Sequence, residues 1–533
     1  MRSTSSWRGR ASVTAGFLAV ALLMSGCASE SAPSASSSDS MVIGTTSSLS
    51  HLDPAAASDG GSSGVQTQVF ASLLTSQPGS SNLVPDLAAS AGFSGPTRFT
   101  VTLRSGLEFA NGHRLTSSDV VFSFQRQAAI HAAGGAAPVL AGLAAVAARG
   151  DRVVVFQLEK ADASFPRVLA TAAAAIVDEQ VFSSRSVTDD ATIVRGRAFD
   201  GQYTIDSFHP GRLITFVRNP HYVGALGTAA TADISLKHYS NAFDLRLDLE
   251  SGTLDVAEGI AAADVAAFRE QAGYTVADGP GTEVQYLVFD LGAMPYAGDA
   301  SKSQLVRQAV ADLVDRSQLA AAPGADDDLP LYSFVPDGVD GAISVLKSNY
   351  GDGAGGPSVD KATALLENAR LSIPISLKIE YNTNLFGASS KAEYTELKNQ
   401  LERGGLFTVV LDKADFPQYE TDRRAGVYPA YQFSTSLALP DAGRSLQQTF
   451  GSAGVASAAA GDTSINDRIR AQATELDASK RTADLADIQT SLAAGLPILP
   501  LLQTSQVVVM HSDVSGACLD ASQQFRFGTL VKR

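Results

Sequence analysis

Strand-like and helix-like hydrophobic patterns alternate along most of this chain, and this mixture limits the possible folds more than any other feature. Apolar and polar residues alternate, as in half-buried strands, over Arg98–Leu103, Arg152–Leu158, Leu213–Val217 and Val284–Phe289. Apolar residues recur at helical spacing over Leu305–Leu319, Lys361–Ala369 and Glu393–Leu401. A chain of 533 residues has room for several hydrophobic cores, so we predict an α/β protein with more than one lobe.

The N-terminus has the pattern of a secretory signal. Arg2, Arg8 and Arg10, with no acidic residue among them, precede an apolar run over Ala15–Met24. A run of this length is too short for a permanent membrane-spanning helix, but it matches the central part of a signal peptide. We therefore predict that residues 1–26 are removed during export.

A cysteine follows this signal directly. Ser25 and Gly26 before Cys27 resemble a bacterial lipobox, in which the cysteine receives the lipid; Met24 stands where the pattern usually has Leu. The Ser-rich stretch up to residue 40 is typical of a flexible tether. We predict lipidation at Cys27 and an anchor on the extracytoplasmic face of the bacterial cell membrane, with an ordinary cleaved signal as the alternative. Cys518 would then have no intramolecular partner, and we expect it to be a small buried residue.

The charge balance argues against nucleic acid as the partner. The chain has 55 acidic and 40 basic residues, a formal net charge of −15, and loss of the signal removes three arginines and no acid, which leaves −18. Binding to a polyphosphate backbone needs clustered cations. Neutral or cationic solutes are therefore favoured over anionic ones.

Several common catalytic, nucleotide-binding and metal-binding motifs are absent. The sequence has no HExxH, CxxC or Walker A pattern, and no two of its seven histidines stand three or four residues apart. We therefore predict a protein that is not an enzyme, with no cofactor and no metal of its own. Metal ligands that converge only in three dimensions remain the alternative.

Two local clusters have structural interpretations. Gly351, Gly353 and Gly356 fit GxGxxG, but the segment before them is not a convincing strand and Pro357 crowds the helix start. This context favours a surface loop over a dinucleotide site. The acidic run Asp326–Asp328 is typical of a solvated loop rather than of a cation site.

The segment Phe99–Phe124, FTVTLRSGLEFANGHRLTSSDVVFSF, is the most specific in the chain. Its apolar alternation predicts a strand, Asn111 and Gly112 supply a turn, and Thr116 can cap a following helix. The whole segment resembles the signature of the dipeptide, oligopeptide and nickel-binding family of extracellular solute-binding proteins, which feed ABC importers.

Further segments resemble the same family in the same order and cover most of the mature chain. They are Leu52–Pro54, Val84–Ala88, Gly201–Tyr203, Arg218–Tyr222, Leu249–Val256, Val306–Val310, Asp315–Arg316, Asp360–Ala362 with Leu365 and Leu366, and Leu496–Leu501.

The resemblance implies a two-lobed clamshell of the large periplasmic-binding-protein type, with three domains. Lobe I would comprise residues 41–72, 201–288 and 507–533, an extra domain residues 73–200, and lobe II residues 289–506, with chain crossings near Phe289 and Gln506. Closure around a solute is what a membrane permease would detect. The implied function is capture of a peptide or similar small solute for an ABC permease, by a protein that we expect to be monomeric.

One segment departs from the pattern of peptide-binding relatives. These usually carry Ala-Asp-Tyr-x-Asp-Pro in lobe II, and the first aspartate pairs with the α-amine of the ligand. Here Ala438 stands at that position, and Asp441 keeps the second aspartate. Because burial of an unpaired ammonium is costly, either Asp441 or another carboxylate substitutes, or the ligand has no free amine.

Candidate ligand contacts follow from the same resemblance. Asp290 stands where relatives often have Asn, and its charge would favour cationic ligands. For the aromatic candidates, packing in the core is the alternative. The candidates are Tyr286, Phe289, Asp290, Tyr428, Tyr431, Phe433 and Asp441.

Two other functions fit the same fold. A nickel or metal-chelate binder would be recognised by a rise in melting temperature with nickel or a metallophore. A sensory or adhesion lipoprotein would lack permease and ATPase genes beside its own.

Overall fold

In this computed structural model, the described residues are 39–533 except 57–58, 131, 133–134, 136, 324–327, 388, 452–453, 455 and 457–462. Their strands are β1 Ser40–Thr45, β2 Leu74–Ser76, β3 Leu83–Pro85, β4 Ala88–Gly95, β5 Arg98–Leu103, β6 Leu143–Arg149, β7 Val153–Leu158, β8 Tyr203–His209, β9 Leu213–Arg218, β10 Asp233–His238, β11 Val256–Glu258, β12 Tyr274–Phe289, β13 Leu329–Pro330, β14 Ile375–Tyr381, β15 Phe407–Lys413, β16 Ala430–Ser436, β17 Ile498–His511, β18 Val514–Ser515 and β19 Val531–Lys532.

The α-helices alternate with these strands along the chain. They are α1 Gly60–Val69, α2 Ser117–Ala129, α3 Phe165–Val168, α4 Asp190–Gly196, α5 Ala242–Glu250, α6 Ala262–Glu270, α7 Ala300–Leu313, α8 Arg316–Ala320, α9 Val345–Asn349, α10 Val359–Asn368, α11 Ser390–Glu402, α12 Gln418–Ala425, α13 Ala442–Phe450, α14 Thr463–Gln472 and α15 Ala478–Gly495.

One large mixed sheet runs through the structure in the order β15-β14-β16-β12-β17-β11-β1-β10-β9-β8, with β13 paired to β17. β1 is parallel to both β10 and β11, whereas β12 and β17 are antiparallel to each other. These last two strands span 16 and 14 residues and lie in the middle of the sheet. They therefore connect its two ends.

The two ends of the large sheet belong to different hydrophobic cores. The C-terminal core includes the end of β12 from Val284 and the start of β17 up to Leu502. The N-terminal core includes β1, β8, β9 and β10, and Val508 and Met510 at the end of β17. Between the cores, the register of β12 against β17 shifts between Pro280 and Val284. The strands β12 and β17 thus pass from one core to the other at this irregularity.

A smaller sheet, in the order β4-β5-β7-β6, forms a third core. Phe99, Val101 and Leu103 of β5 are buried, as their alternation predicts. Thr116 caps α2, and Asp119 completes the capping box by accepting from the backbone N–H of Thr116 at 2.8 Å. The strand, turn and cap predicted for this segment are therefore confirmed.

Most local predictions match the structure within a few residues. The other predicted strands lie within β7, β9 and β12, and Ser358 caps α10 by accepting from the backbone N–H of Lys361. The predicted helix Leu305–Leu319 is divided into α7 and α8. Asp315 causes this break because its side chain accepts from the N–H groups of Ser317 and Gln318 and so begins a new helix.

Some expectations differ from the structure or lie outside its described part. Residues 1–38, with Cys27, lie outside it, as do Asp326 and Asp327. Asp328 is buried and accepts from Gln285 at 2.8 Å, so it does not belong to a solvated loop. Cys518 is a free cysteine of intermediate exposure rather than a buried one. Among the described residues, no helix combines the length and apolar character needed to cross a membrane.

Candidate functional site

A cleft lies at the carboxyl ends of β1, β10 and β11. Because β1 is parallel to both neighbours, the last residues of these strands meet at one edge, with Thr45 opposite both His238 and Glu258. In open α/β sheets, ligands bind at this edge of parallel strands. The topology therefore marks this cleft, here called the strand-end cleft, as the candidate site.

Two adjoining cavities form the strand-end cleft. One has a cavity volume of about 60 Å³ and extends over the turn at Arg212 towards His238. The other has a cavity volume of about 650 Å³ and reaches Ser505–Val508 of β17. Both are lined by Ser47, Gly60, Glu258 and Gln523. The cleft thus extends from the N-terminal core to the strand that crosses between the cores, with a size suited to a small organic ligand.

Glu258 is the acidic group that both cavities share. Its side chain is partly buried at the last position of β11. Burial raises the pKa of Glu258, and a hydrogen bond with Thr45 offsets part of the rise. Among the residues that the structure describes, no Lys, Arg or His forms an ion pair with Glu258. The carboxylate is therefore without a cationic partner.

Close backbone packing shapes the rim of the cleft. A Cβ atom at Gly61 would lie 2.1 Å from the carbonyl oxygen of Ser48, so only glycine lets the start of α1 approach the loop after β1. Gly259 has a φ of +96°, and a Cβ atom there would lie 2.3 Å from Oγ1 of Thr46. The two glycines therefore allow the loop after β1 to lie close to the start of α1 and to the end of β11.

The first part of α1 contains a serine motif that sequence inspection passed over. Gly60–Gly64 fits GxSxG, a pattern of hydrolase nucleophiles. Ser62 is fully buried, however, where its hydroxyl donates to Asp59 at 2.8 Å and accepts from the N–H of Ser50 at 3.0 Å. The serine caps local backbone and does not present its hydroxyl to the cleft.

The predicted aromatic contacts lie in or against the C-terminal core and not in the strand-end cleft. Tyr286 and Phe289 are 1% and 0% exposed in that core. Tyr431 is 8% exposed in the same core, and Phe433 packs against it with the guanidinium of Arg423 5.8 Å from its ring. Tyr286 and Phe433 are partners in the ladder of β12 and β16, and a ligand contact of these aromatics stays a prediction.

Asp290 directly follows β12, and Tyr428 lies two residues before β16. Asp290 accepts from the N–H of Gly292 at 2.9 Å and holds the turn after β12. The hydroxyl of Tyr428 donates to Asp412. Both side chains are half-buried and are engaged in local hydrogen bonds.

Asp441 is already paired within the protein. It caps α13 by accepting from the N–H of Arg444, and it accepts from both terminal nitrogens of Arg481 at 2.7 and 2.9 Å. Burial raises the pKa of Asp441, but the hydrogen bonds and charge of Arg481 outweigh burial and lower it. The charge of Asp441 is therefore already compensated by Arg481, and its role as the substitute for an amine-binding aspartate stays a prediction.

A third cavity beside Asp441 differs from the strand-end cleft in its charges. It has a cavity volume of about 400 Å³ and lies between β4 and the start of α15. Arg167 approaches Asp340 at 3.5 Å and Asp441 at 3.9 Å. The charged side chains of this cavity pair with one another, so the cost of burying them is already offset within the protein. The strand-end cleft, in contrast, contains a carboxylate that has no cationic partner among the described residues.

Sequence reasoning missed the strand-end cleft. The segment Leu249–Val256, which resembles the family, ends two residues before Glu258. The sequence does contain a signal for this cleft, namely a carboxylate directly followed by glycine at the end of a short buried strand. Within the described ranges, no group of three His, Cys, Asp or Glu side chains is arranged to hold a metal ion.

Comparisons with known proteins identify the family. Residues 82–457 match the model described as "Bacterial extracellular solute-binding proteins, family 5 Middle". A curated relative, "Probable D,D-dipeptide-binding periplasmic protein DdpA" of Escherichia coli K12, is 27% identical over 264 residues, 48% of this chain and 50% of the relative. The chain thus aligns with about half the length of that relative.

Solved structures share the fold. The unliganded open form of MppA, titled a periplasmic murein tripeptide binding protein, has a TM-score of 0.79 at 18% identity, covering 93% of this chain and 98% of MppA. HbpA2 of Haemophilus parasuis has a TM-score of 0.76 at 16% identity, covering 93% of this chain and all of HbpA2. DppA of Helicobacter pylori in complex with the peptide STSA has a TM-score of 0.59 at 16% identity, covering 92% of this chain and 98% of DppA.

These likenesses show a two-lobed α/β fold. With the match over residues 82–457, they establish that the chain belongs to family 5 of the bacterial extracellular solute-binding proteins.

Proposed function

We propose that this protein captures a peptide or similar small solute in the strand-end cleft and delivers it to an ABC permease. The observation that carries the proposal is the cleft itself, which combines a partly buried, unpaired carboxylate with walls from β11 and from the crossing strand β17. A solute held there would contact the N-terminal core and the link to the C-terminal core together. Such a solute would favour one arrangement of the two cores over others.

The names of relatives support a peptide as the solute class. The Escherichia coli relative is named for D,D-dipeptides, MppA for a murein tripeptide, and DppA of Helicobacter pylori was solved with a bound peptide. The family itself consists of extracellular solute-binding proteins. We therefore also propose that this protein acts outside the cytoplasm.

The domain partition is part of the same proposal. We assign residues 41–72, 201–288 and 507–533 to lobe I, residues 73–200 to an extra domain and residues 289–506 to lobe II. The three main cores support a division into three, and the register shift between Pro280 and Val284 supports a hinge in β12 slightly before Phe289. In β17, the facing residues run from Gln503 to Ser505, next to the crossing predicted near Gln506.

Binding is tested with the purified mature domain. Isothermal titration calorimetry against di- and tripeptides, together with native mass spectrometry for a co-purified ligand, should reveal a bound peptide. A ligand at about 100 times its dissociation constant adds about 2.7 kcal/mol to the unfolding free energy, so a thermal-shift screen will detect it. No stabilisation by any peptide and a clean apo mass would contradict the proposal.

The metal alternative is tested in the same screen. The described residues offer no group of three His, Cys, Asp or Glu side chains arranged to hold a metal, so the screen includes both free nickel and a metallophore chelate. A rise in melting temperature with nickel or a metallophore, and none with peptides, would favour this alternative.

The anchor needs a separate test. We propose that Cys27 carries the lipid, since it follows an apolar signal and precedes a Ser-rich stretch. Cys27→Ala should release the protein into the medium or leave it as the unprocessed precursor, whereas Cys518→Ala, the matched control, should stay with the membrane. Unchanged membrane retention of Cys27→Ala would contradict lipidation.

A further inference from the structure

The strand-end cleft has an uneven distribution of charge. Glu258 lies where both cavities meet, whereas Arg212 and His238 line the smaller cavity only. Asp59 stands at the cap of α1, next to Gly60 of the rim. The larger cavity, which reaches the crossing strand β17, therefore has Glu258 as its one charged side chain among the described residues.

The geometry of the sheet keeps Arg212 and His238 away from Glu258. β10 and β11 lie on opposite sides of β1, so the backbones of His238 and Glu258 are about two strand spacings, or about 9.5 Å, apart. Arg212 lies on the turn before β9, beyond β10. Neither side chain pairs with Glu258, and Thr45 is its neutral hydrogen-bond partner.

A partly buried carboxylate without a cation is unfavourable, and a positively charged ligand group would offset that cost. The position at which peptide-binding relatives usually supply a carboxylate has Ala438 in this chain, and Asp441 is engaged by Arg481. Glu258 is thus the carboxylate that the strand-end cleft offers to a ligand.

We propose that Glu258 binds a cationic group of the solute, an ammonium or a guanidinium, and thereby makes the protein selective for cationic over neutral and anionic solutes. This inference rests on the proposed function, because it places the solute in the strand-end cleft. It names the charge class of the ligand and the residue that selects it.

The experiment compares wild type with Glu258→Gln, which keeps the shape of the side chain and removes its charge. The probes are the tripeptides Ala-Lys-Ala, Ala-Gln-Ala and Ala-Glu-Ala, each with a free and with an acetylated N-terminus, titrated by calorimetry. The matched control is Glu270→Gln, at an exposed glutamate on α6. The unfolding midpoint of each variant shows that it is folded.

We expect wild type and Glu270→Gln to bind the probes with a free amine or a lysine best. Glu258→Gln should lose this preference, with at least about thirtyfold weaker binding of the best probe. Glu258→Asp should retain part of the preference. The inference would be overturned if folded Glu258→Gln and wild type bound the probes with equal affinity, or if wild type preferred neutral or anionic probes. Either result would leave the proposed function intact. Binding of no probe at all would count against the proposed function and, with it, the inference.

Proton linkage gives an independent readout. A cation bound to Glu258 favours the ionised carboxylate, so affinity for the best probe should fall as the pH is lowered from about 7.5 to about 5. Arg212, His238 and Asp59 also lie near the cleft, and any contribution of theirs should persist in Glu258→Gln. The difference between the two pH profiles reports Glu258, and identical profiles would overturn the inference.

Discussion

Asp441 and Arg481 form a two-pronged ion pair, with oxygen–nitrogen distances of 2.7 and 2.9 Å, at the start of α13. Asp441 is 2% exposed, so the pair is shielded from water. Arg167, on a helix that packs in the core of the small sheet, approaches the same carboxylate at 3.9 Å. A residue predicted to bind ligand thus joins parts of the chain that are far apart in sequence.

Asp441→Asn should lower the unfolding free energy by about 3 kcal/mol, because it leaves Arg481 without its buried charge partner. Asparagine still caps a helix, so loss of the cap does not contribute. Asp477→Asn, at the exposed cap of α15, is the matched control and should leave the urea midpoint unchanged. Equal midpoints for Asp441→Asn and wild type would contradict a stabilising pair.

Arg126→Lys should destabilise the protein by about 2–4 kcal/mol although it keeps the positive charge. Arg126 is buried and donates to both oxygens of Asp53, to the carbonyl oxygen of Ser183 at 2.5 Å and to that of Ser186 at 3.1 Å. A single ammonium cannot reach all four acceptors. Thermal unfolding measures the effect, and the exposed Arg98→Lys is the control. Comparable melting temperatures for the two variants would refute this role.

Glu380→Gln should stabilise the protein at alkaline pH. Burial, with the nearby carboxylates of Asp422 and Asp412, raises the pKa of Glu380 to about 8. Between its usual pKa of 4.5 and about 8, the folded state therefore binds more protons than the unfolded state, and wild-type stability falls as the pH rises.

The variant should consequently equal wild type near about pH 4 and exceed it by about 1–3 kcal/mol near about pH 9. Urea unfolding across this pH range is the measurement. Glu367→Gln, on the exposed face of α10, should follow the wild-type curve. A Glu380→Gln curve parallel to that of wild type would show that Glu380 does not titrate in this range.

Gly281→Ala should disturb the crossing between the cores. A Cβ atom at Gly281 would lie 2.5 Å from the carbonyl oxygen of Thr504 on β17, so the two strands would have to separate. We expect a loss of about 2 kcal/mol in unfolding free energy, measured by urea unfolding, together with weaker binding of peptide. Gly298→Ala, which has open space around its Cβ position, is the control. Wild-type stability and affinity in Gly281→Ala would argue against tight packing at the crossing.

Local elements follow from the sequence because their causes are local. The buried face of β5 follows from the alternation of Phe99, Val101 and Leu103, and the start of α2 follows from the cap at Thr116. The loop at Gly351 follows in the same way, since Gly351 has a φ of +62° and Asp352 accepts from the N–H groups of Ala354 and Gly356. The family also follows from the sequence, because its signature consists of such local segments.

The tertiary structure alone decided which polar groups are free. Asp441 and Glu258 are both acidic residues at the ends of apolar segments, and their sequence contexts do not tell them apart. Folding brings Arg481, 40 residues away, against Asp441, whereas the parallel pairing of β11 with β1 gives Glu258 the hydroxyl of Thr45 and no cation. Ion pairing depends on distances of a few ångströms between residues remote in sequence, so the sequence determined the elements and the family, and the packing determined the site.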